Sequence, residues 1–246
     1  MNDLSGRVAL VTGGSRGMGA ATALALAERG ADVAVTYLNS AQKAEAVIAQ
    51  IEALGRRGRA IRADSADPDQ IVDAVNATAD AFGRLDILVN NAGIFKLAPV
   101  EEFTREDVER MLGTHVNGVF LASQAAARRM ADGGRIISIG SSLARHAPGP
   151  GFSLYSMSKS ALIGFTKGLA RDLGPRGITV NTIDPGSTDT DMNPADGPFA
   201  DEGRSIIPLG RYCAPGDIAA MVVHLAGKGG ANITGASIAI DAGVNA

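Results

Sequence analysis

Short apolar runs alternate with segments of helical period almost from end to end of the chain. Val8–Val11 reads as a strand, followed by a glycine-rich turn and an Ala/Leu-rich helix from about Gly17 to Arg29 that Gly30 stops. Asp32–Tyr37 is a second strand. Ser40 is the expected N-cap of a helix whose apolar positions Ala44, Val47, Ile48, Ile51 and Leu54 follow a 3.6-residue period, and Gly55 ends it. A third strand is predicted at Arg59–Ala63. Asp67-Pro68 then offers a cap and a first-turn proline to a helix carrying Ile71, Val75, Thr78 and Phe82, closed by Gly83. Leu85–Val89, Arg135–Ile139, Ile178–Ile183 and Ser237–Ile240 supply four more strands between long helical segments. Strands this apolar need both faces covered. The pattern therefore predicts an α/β fold, a Rossmann-type doubly wound parallel sheet with helices on both faces, as one domain over residues 1–246.

One stretch breaks the pattern. Ser187 to Arg211 is rich in Pro, Gly and Asp and has no period, which marks it as a candidate substrate loop. Composition narrows the rest. Of 246 residues, 46% are hydrophobic and 20% charged, too apolar for disorder, and the net charge of −3 argues against a nucleic-acid or anionic-membrane binder. Cys213 is the only cysteine, which excludes an intrachain disulfide and a Cys-rich metal site, and no His/carboxylate cluster has metal spacing, so no metal is expected. No basic leader and no apolar run of membrane-spanning length are seen, which places the chain in the cytoplasm as an expectation.

Thr12-Gly13-Gly14-Ser15-Arg16-Gly17-Met18-Gly19 lies between the first strand and the first helix. Glycines at 13, 17 and 19 permit a tight turn, close approach of a pyrophosphate and close helix–strand packing, and the helix N-terminus meets the phosphate charge with free N–H groups. An NAD site usually carries a carboxylate about 20 residues on, for the ribose 2′-hydroxyl. Here the second strand ends in Tyr37-Leu38-Asn39-Ser40, and Asp32 sits at its opposite end. Arg16, Asn39 and Ser40 offer a cation and polar donors to a 2′-phosphate instead, so NADP is the expected cofactor, with NAD permitted.

Tyr155 and Lys159 stand at i and i+4 on one helical face, where an ammonium is expected to lower the tyrosine pKa toward neutrality for acid/base work. Ser142 lies just past the Arg135–Ile139 strand, at the sheet's carboxyl edge. Together with Asn90-Asn91-Ala92-Gly93 and Asp184-Pro185-Gly186 followed by Thr188 and Thr190, these residues closely resemble the short-chain dehydrogenase/reductase family over essentially the whole chain. The resemblance implies Ser142, Tyr155 and Lys159 as catalytic residues. Tyr155 would protonate the substrate oxygen, Ser142 would hydrogen-bond it, and Lys159 would hold the nicotinamide ribose. It implies Asp64 and Ser65 beside the adenine, Asn91, Ala92 and Gly93 along the cofactor groove, and Pro185, Gly186, Thr188 and Thr190 behind the nicotinamide.

The implied reaction is hydride transfer between a nicotinamide and a ketone or secondary alcohol, most like the branch of 3-oxoacyl-carrier-protein reductases and related ketone reductases. A homo-oligomer, dimer or tetramer, is implied as well, built partly by the Tyr155–Leu173 helix and the C-terminal strand. Asp189-Thr190-Asp191 with Asn193-Pro194-Ala195 is also similar to a nucleotide-binding regulatory branch of the family, of the cyclic-di-GMP type. One departure is plain: the family's catalytic Asn falls on His115, while Asn117 is out of register by two residues. In the family the main-chain carbonyl at this position holds a water that links the Lys to solvent. His115 lies on the inward stripe with Val108, Met111, Leu112, Val116, Val119 and Ala122. As a lone His there it reads first as a core residue, and its imidazole also offers that relay a titration near neutrality.

Overall fold

Every residue of Val8–Val11 and of Ile87–Asn90 is buried, so neither strand has a solvent face. The computed structural model describes residues 3–198 and 200–246. Its strands β1 (Val8–Val11), β2 (Asp32–Tyr37), β3 (Gly58–Arg62), β4 (Ile87–Asn90), β5 (Arg135–Ile139), β6 (Thr179–Pro185) and β7 (Ser237–Ile240) form one seven-stranded sheet. The order is β3-β2-β1-β4-β5-β6-β7 and every pairing is parallel. The predicted doubly wound architecture is therefore present.

Alternate strand residues feed two separate cores, as the period of two requires. Val11, Val35, Val89 and Ile183 face α1 (Gly17–Glu28), α2 (Ala41–Ala53) and α8 (Pro215–Ala226) through Leu26, Ile51 and Val222. Leu10, Ala34, Leu88 and Val180 face the other way, onto α3 (Pro68–Phe82), α5 (Gly118–Arg129) and α6 (Ser153–Leu173) through Val75, Ala126 and Leu173. Burying each such side chain stabilises the fold by roughly 1.5–3 kcal/mol.

The predicted strand boundaries hold within two residues, and the shifts have local causes. β4 starts at Ile87, not Leu85, because Asp86 is spent on the strand entry: its carboxylate takes the Val8 N–H at 2.9 Å and Arg84 Nη2 at 2.6 Å. The α3 signals are realised as read. Asp67 accepts from the N–H groups of Asp69 and Gln70, and Gly83 closes the helix at φ 81°. Ser40 does precede α2, but its side chain makes no capping bond. The Ser187–Arg211 stretch carries more order than its composition suggests: Thr188 bridges to Cys213, Thr190 to Asn193, and α7 (Ala200–Ser205) is too short to show a period. The remaining helix, α4 (Arg105–Leu112), runs into α5 through a π-helical turn at Gly113–Asn117.

Candidate active site

The chain leaves β1 for β2 and β3 on one side and returns to β4 on the other. That reversal opens a crevice beyond the carboxyl ends of β1 and β4, the usual place for a ligand in an open α/β sheet. A cleft of about 450 Å³ lies there.

Its first wall is the glycine turn. Gly13 has φ 63°, and a Cβ on it would come within 2.9 Å of the Ala92 Cα. A Cβ on Gly19 would stand 2.4 Å from the Gly13 carbonyl oxygen. Only glycine fits either place. The turn is sewn to the segment after β4: Thr12 Oγ1 accepts from the N–H groups of Asn91 and Ala92, each at 3.0 Å, and Asn91 Nδ2 donates to the carbonyls of Thr12 at 2.8 Å and Gly13 at 3.0 Å. Arg16 occupies the N-cap of α1 in extended conformation without a side-chain cap, and no acidic residue lies in the first turn. The helix thus presents uncapped N–H groups and positive dipole to the cleft.

The second wall decides the charge preference. Tyr37, Asn39 and Ser40 line it, and no carboxylate follows β2. Asp32 is occupied at the far end by Arg57, at 2.7 Å. Lys43, in the first turn of α2, joins Arg16 here, both reaching Asp191 Oδ2. Sequence reasoning missed Lys43, although its place four residues beyond Asn39 was a usable signal. The residues therefore fit a dinucleotide with an anion on its ribose: a cradle that a Cβ would fill, open N–H groups and two cations. Asp64 and Ser65 also line the cleft. Burial alone would raise the Asp64 carboxyl, but the Arg110 hydrogen bond at 2.6 Å and the Ala66 N–H hold it below the usual carboxylate range.

Tyr155 and Lys159 stand together at the cleft floor with Gly93, as the i, i+4 spacing predicts, and Thr190 reaches in from the loop. The expected effect of Lys159 on the phenol is not what the geometry gives. Lys159 Nζ lies 5.9 Å above the Tyr155 ring centroid and donates to the Ile139 carbonyl at 2.9 Å. Burial pushes Tyr155 up to about 12, against a smaller pull from the Ser141 hydroxyl. Burial also brings Lys159 down to about 8, with Asp184 opposing. Desolvation dominates both groups and keeps the phenol protonated.

Five predicted residues lie outside the cleft wall. Thr188 is buried and donates to the Gly186 carbonyl at 3.0 Å, Gly186 packs against Asp241, and Pro185 ends β6. Ser142 is buried at the start of a tight turn, where its carbonyl accepts from Asn245 Nδ2 at 3.1 Å. The adjacent Ser141 is the serine at the Tyr155 phenol, and it accepts the Leu143 N–H at 3.1 Å.

His115 is the fifth. It is 1% exposed at the centre of the π-helical turn, while Asn117 is exposed, so the two side chains lie on different faces of the turn. Its Nε2 accepts the Ile94 N–H at 3.0 Å, so Nδ1 carries the proton and donates to Ser158 Oγ at 2.8 Å. Ser158 in turn donates to the Tyr155 carbonyl at 2.7 Å. The ring also meets Tyr155 edge-on, with centroids 5.6 Å apart. The expected titration near neutrality is overturned: burial, with the charge of Lys159, lowers His115 to about 2. It is a neutral, satisfied residue joining the Asn91–Ile94 segment to α6.

These features are those of a short-chain dehydrogenase/reductase, and the chain belongs to that family. Residues 13–245 match the family model described as enoyl-(acyl carrier protein) reductase. The structure is similar to a short-chain dehydrogenase from Burkholderia cenocepacia J2315 solved in complex with NADP, at 57% identity and TM-score 0.98 over 99% of this chain and 100% of that one. The cyclic-di-GMP-binding biofilm dispersal mediator of Escherichia coli (strain K12) is 41% identical over 98% of both chains. D-threitol dehydrogenase of Mycolicibacterium smegmatis (strain ATCC 700084 / mc(2)155) is 43% identical over 98% of this chain and 93% of its own.

Proposed function

We propose that the protein is an NADP-dependent carbonyl reductase/alcohol dehydrogenase acting on a ketone or secondary alcohol. The observation that carries this reading is a protonated phenol beside a lysine at the floor of a cradle with two cations at its mouth. The glycine turn, the Asn91–Gly93 segment, Arg16, Asn39 and Ser40 would hold the coenzyme, which when bound supplies the hydride. The chain's own residues do the rest. In reduction the Tyr155 hydroxyl gives its proton to the substrate oxygen as the carbonyl carbon is reduced. Ser142, with Ser141 beside the phenol, steadies that oxygen, and Lys159 holds the ribose and offsets the phenolate charge. His115 fixes the backbone on which Tyr155 rides.

Similarity to the cyclic-di-GMP-binding mediator supports a second reading, a nucleotide-binding regulator on the same fold. The Tyr155–Lys159 pair favours the enzyme, since a sensor needs no proton donor. NADPH consumption against a panel of small ketones and β-keto acyl compounds, beside a cyclic-dinucleotide titration, separates the two. Turnover on the panel is expected; nucleotide binding without turnover would overturn the enzyme.

The protein is proposed to act in the cytoplasm as a homo-oligomer, a dimer or tetramer. No helix among the described residues is long and apolar enough to cross a membrane. A groove of about 650 Å³ runs over α5 and α6 between Phe120 and Phe165, whose rings lie 5.5 Å apart, and the edge strand β7 leaves Ile238, Ala239 and Ile240 incompletely covered. A monomer mass by light scattering at micromolar concentration would contradict this assembly.

A further inference from the structure

Asp191 belongs to the segment between β6 and α7, yet its side chain stands in the cleft beside the glycine turn. Its Oδ2 accepts from Lys43 Nζ at 3.0 Å and from Arg16 Nη1 at 3.3 Å. The partners are 148 and 175 residues away in the chain, one from the first turn of α2 and one from the N-cap of α1. Three distant segments thus meet at one carboxylate oxygen. Next to it, the Thr190 methyl carbon would lie 3.3 Å from a Cβ on Gly17, so the same segment is seated on the glycine turn by packing as well. Asn39 and Ser40 line the cleft at the same end.

A ribose 2′-phosphate asks for the same partners. It carries close to two negative charges at neutral pH and takes charge-assisted hydrogen bonds from a guanidinium and an ammonium. We propose that Asp191 is a specificity-determining residue: its carboxylate competes with the coenzyme's 2′-phosphate for Arg16 and Lys43, so that phosphate binding unties the Ser187–Arg211 loop from the glycine turn. This rests on the reading that the cleft takes a phosphorylated nicotinamide coenzyme.

The consequence is an asymmetry between the two coenzymes. The phosphate brings nearly twice the charge of the carboxylate and displaces it. A coenzyme with a bare 2′-hydroxyl brings no anion to these two cations, so Asp191 stays on them and the loop stays tied. Removing the charge at 191 frees Arg16 and Lys43 for the phosphate and gives nothing to the hydroxyl. Because both ion pairs are half-exposed, the competition is modest and sensitive to salt.

The test is a pair of titrations of NADPH and NADH into the wild-type protein and Asp191→Asn, read by coenzyme fluorescence, which a chain without tryptophan leaves free of indole background. Asp191→Asn is expected to tighten NADPH by roughly threefold to tenfold and to change NADH by less than about twofold. The gain should shrink at roughly 1 M salt, where the screening length falls to about 3 Å. It should also shrink when Lys43 is already alanine. Equal tightening of both coenzymes, or no change in NADPH binding, would overturn the competition. Weaker NADPH binding would overturn it too, by making Asp191 a clamp on the bound coenzyme. A wild-type protein that binds neither coenzyme would remove the coenzyme reading itself, and the inference with it.

Discussion

The two ends of the cleft are built from opposite materials. At the floor Lys159 is 5% exposed, and behind it His115 is 1% exposed; the polar atoms of both side chains have partners inside the fold. At the mouth, Arg16, Lys43 and Asp191 are each about half exposed and hold one another through side chains alone. Burial therefore sets the chemistry of the floor: it raises Tyr155, lowers Lys159 and keeps His115 neutral. Charge pairing sets the mouth, where Lys43 and then Arg16 hold Asp191 below the usual carboxylate range. The floor should respond to substitution and to pH, the mouth to ligand charge and to salt.

The sharpest way to break this division is Tyr155→Phe, which keeps the ring and its edge contacts with Phe95 and His115 and removes only the proton. Turnover is expected to fall by roughly 10²–10⁴ or more while NADPH still binds, measured by steady-state kinetics beside a fluorescence titration. Reductase activity that survives would place the proton donor elsewhere. At the mouth, Arg16→Ala should raise the KM for NADPH by about tenfold to a hundredfold, with a much smaller effect on NADH. Equal effects on both coenzymes, or a wild-type preference for NADH, would mean that the mouth does not read the phosphate.

A third effect belongs to the floor and to folding. The unfolded chain takes a proton on His115 as pH falls through its ordinary 6.5, while the folded protein refuses it until about 2. The folded state binds fewer protons in that window, so this site's stability is intact above 6.5 and is lost progressively as pH drops toward 2. The loss is about 2 kcal/mol at roughly pH 5. Thermal melts should therefore show a smaller drop in Tm between about pH 7 and pH 5 for His115→Asn than for the wild type. An equal drop would mean that the imidazole charges inside the fold.

The smallest effect is expected from His115→Asn on catalysis. The π-helical turn is a main-chain feature, and a side-chain amide can replace one of the two bonds that the imidazole makes. Activity within about tenfold of wild type, roughly 1.4 kcal/mol in barrier, is the expected result. A wild-type protein inactive on a broad carbonyl panel, with activity appearing in His115→Asn, would make this chain a disabled reductase.

What could be read from the residues alone follows the same division between local and distant causes. The strands, the glycine cradle and the Tyr155–Lys159 pair were legible because period, turn chemistry and i, i+4 spacing are local properties of the chain. The Asp191 tether was not, since it joins side chains 148 and 175 residues apart. Nor was the presence of Ser141 at the Tyr155 phenol, beside the expected Ser142, which depends on how one tight turn leaves β5. The pKa directions failed for a related reason. Spacing shows that an ammonium is near a phenol, but only the packed floor shows that desolvation outweighs it. At His115 the register argument found the inward position, while the bonds to Ile94 and Ser158 required the fold.

An isotope tests hydride transfer itself. The protein would be incubated with NADPH carrying deuterium at the transferable position and with the ketone panel, and the products read by mass spectrometry. One deuterium on the former carbonyl carbon of an alcohol product, lost in Tyr155→Phe, is the predicted result. No labelled alcohol from any ketone, from a protein that still binds a cyclic dinucleotide, would contradict it.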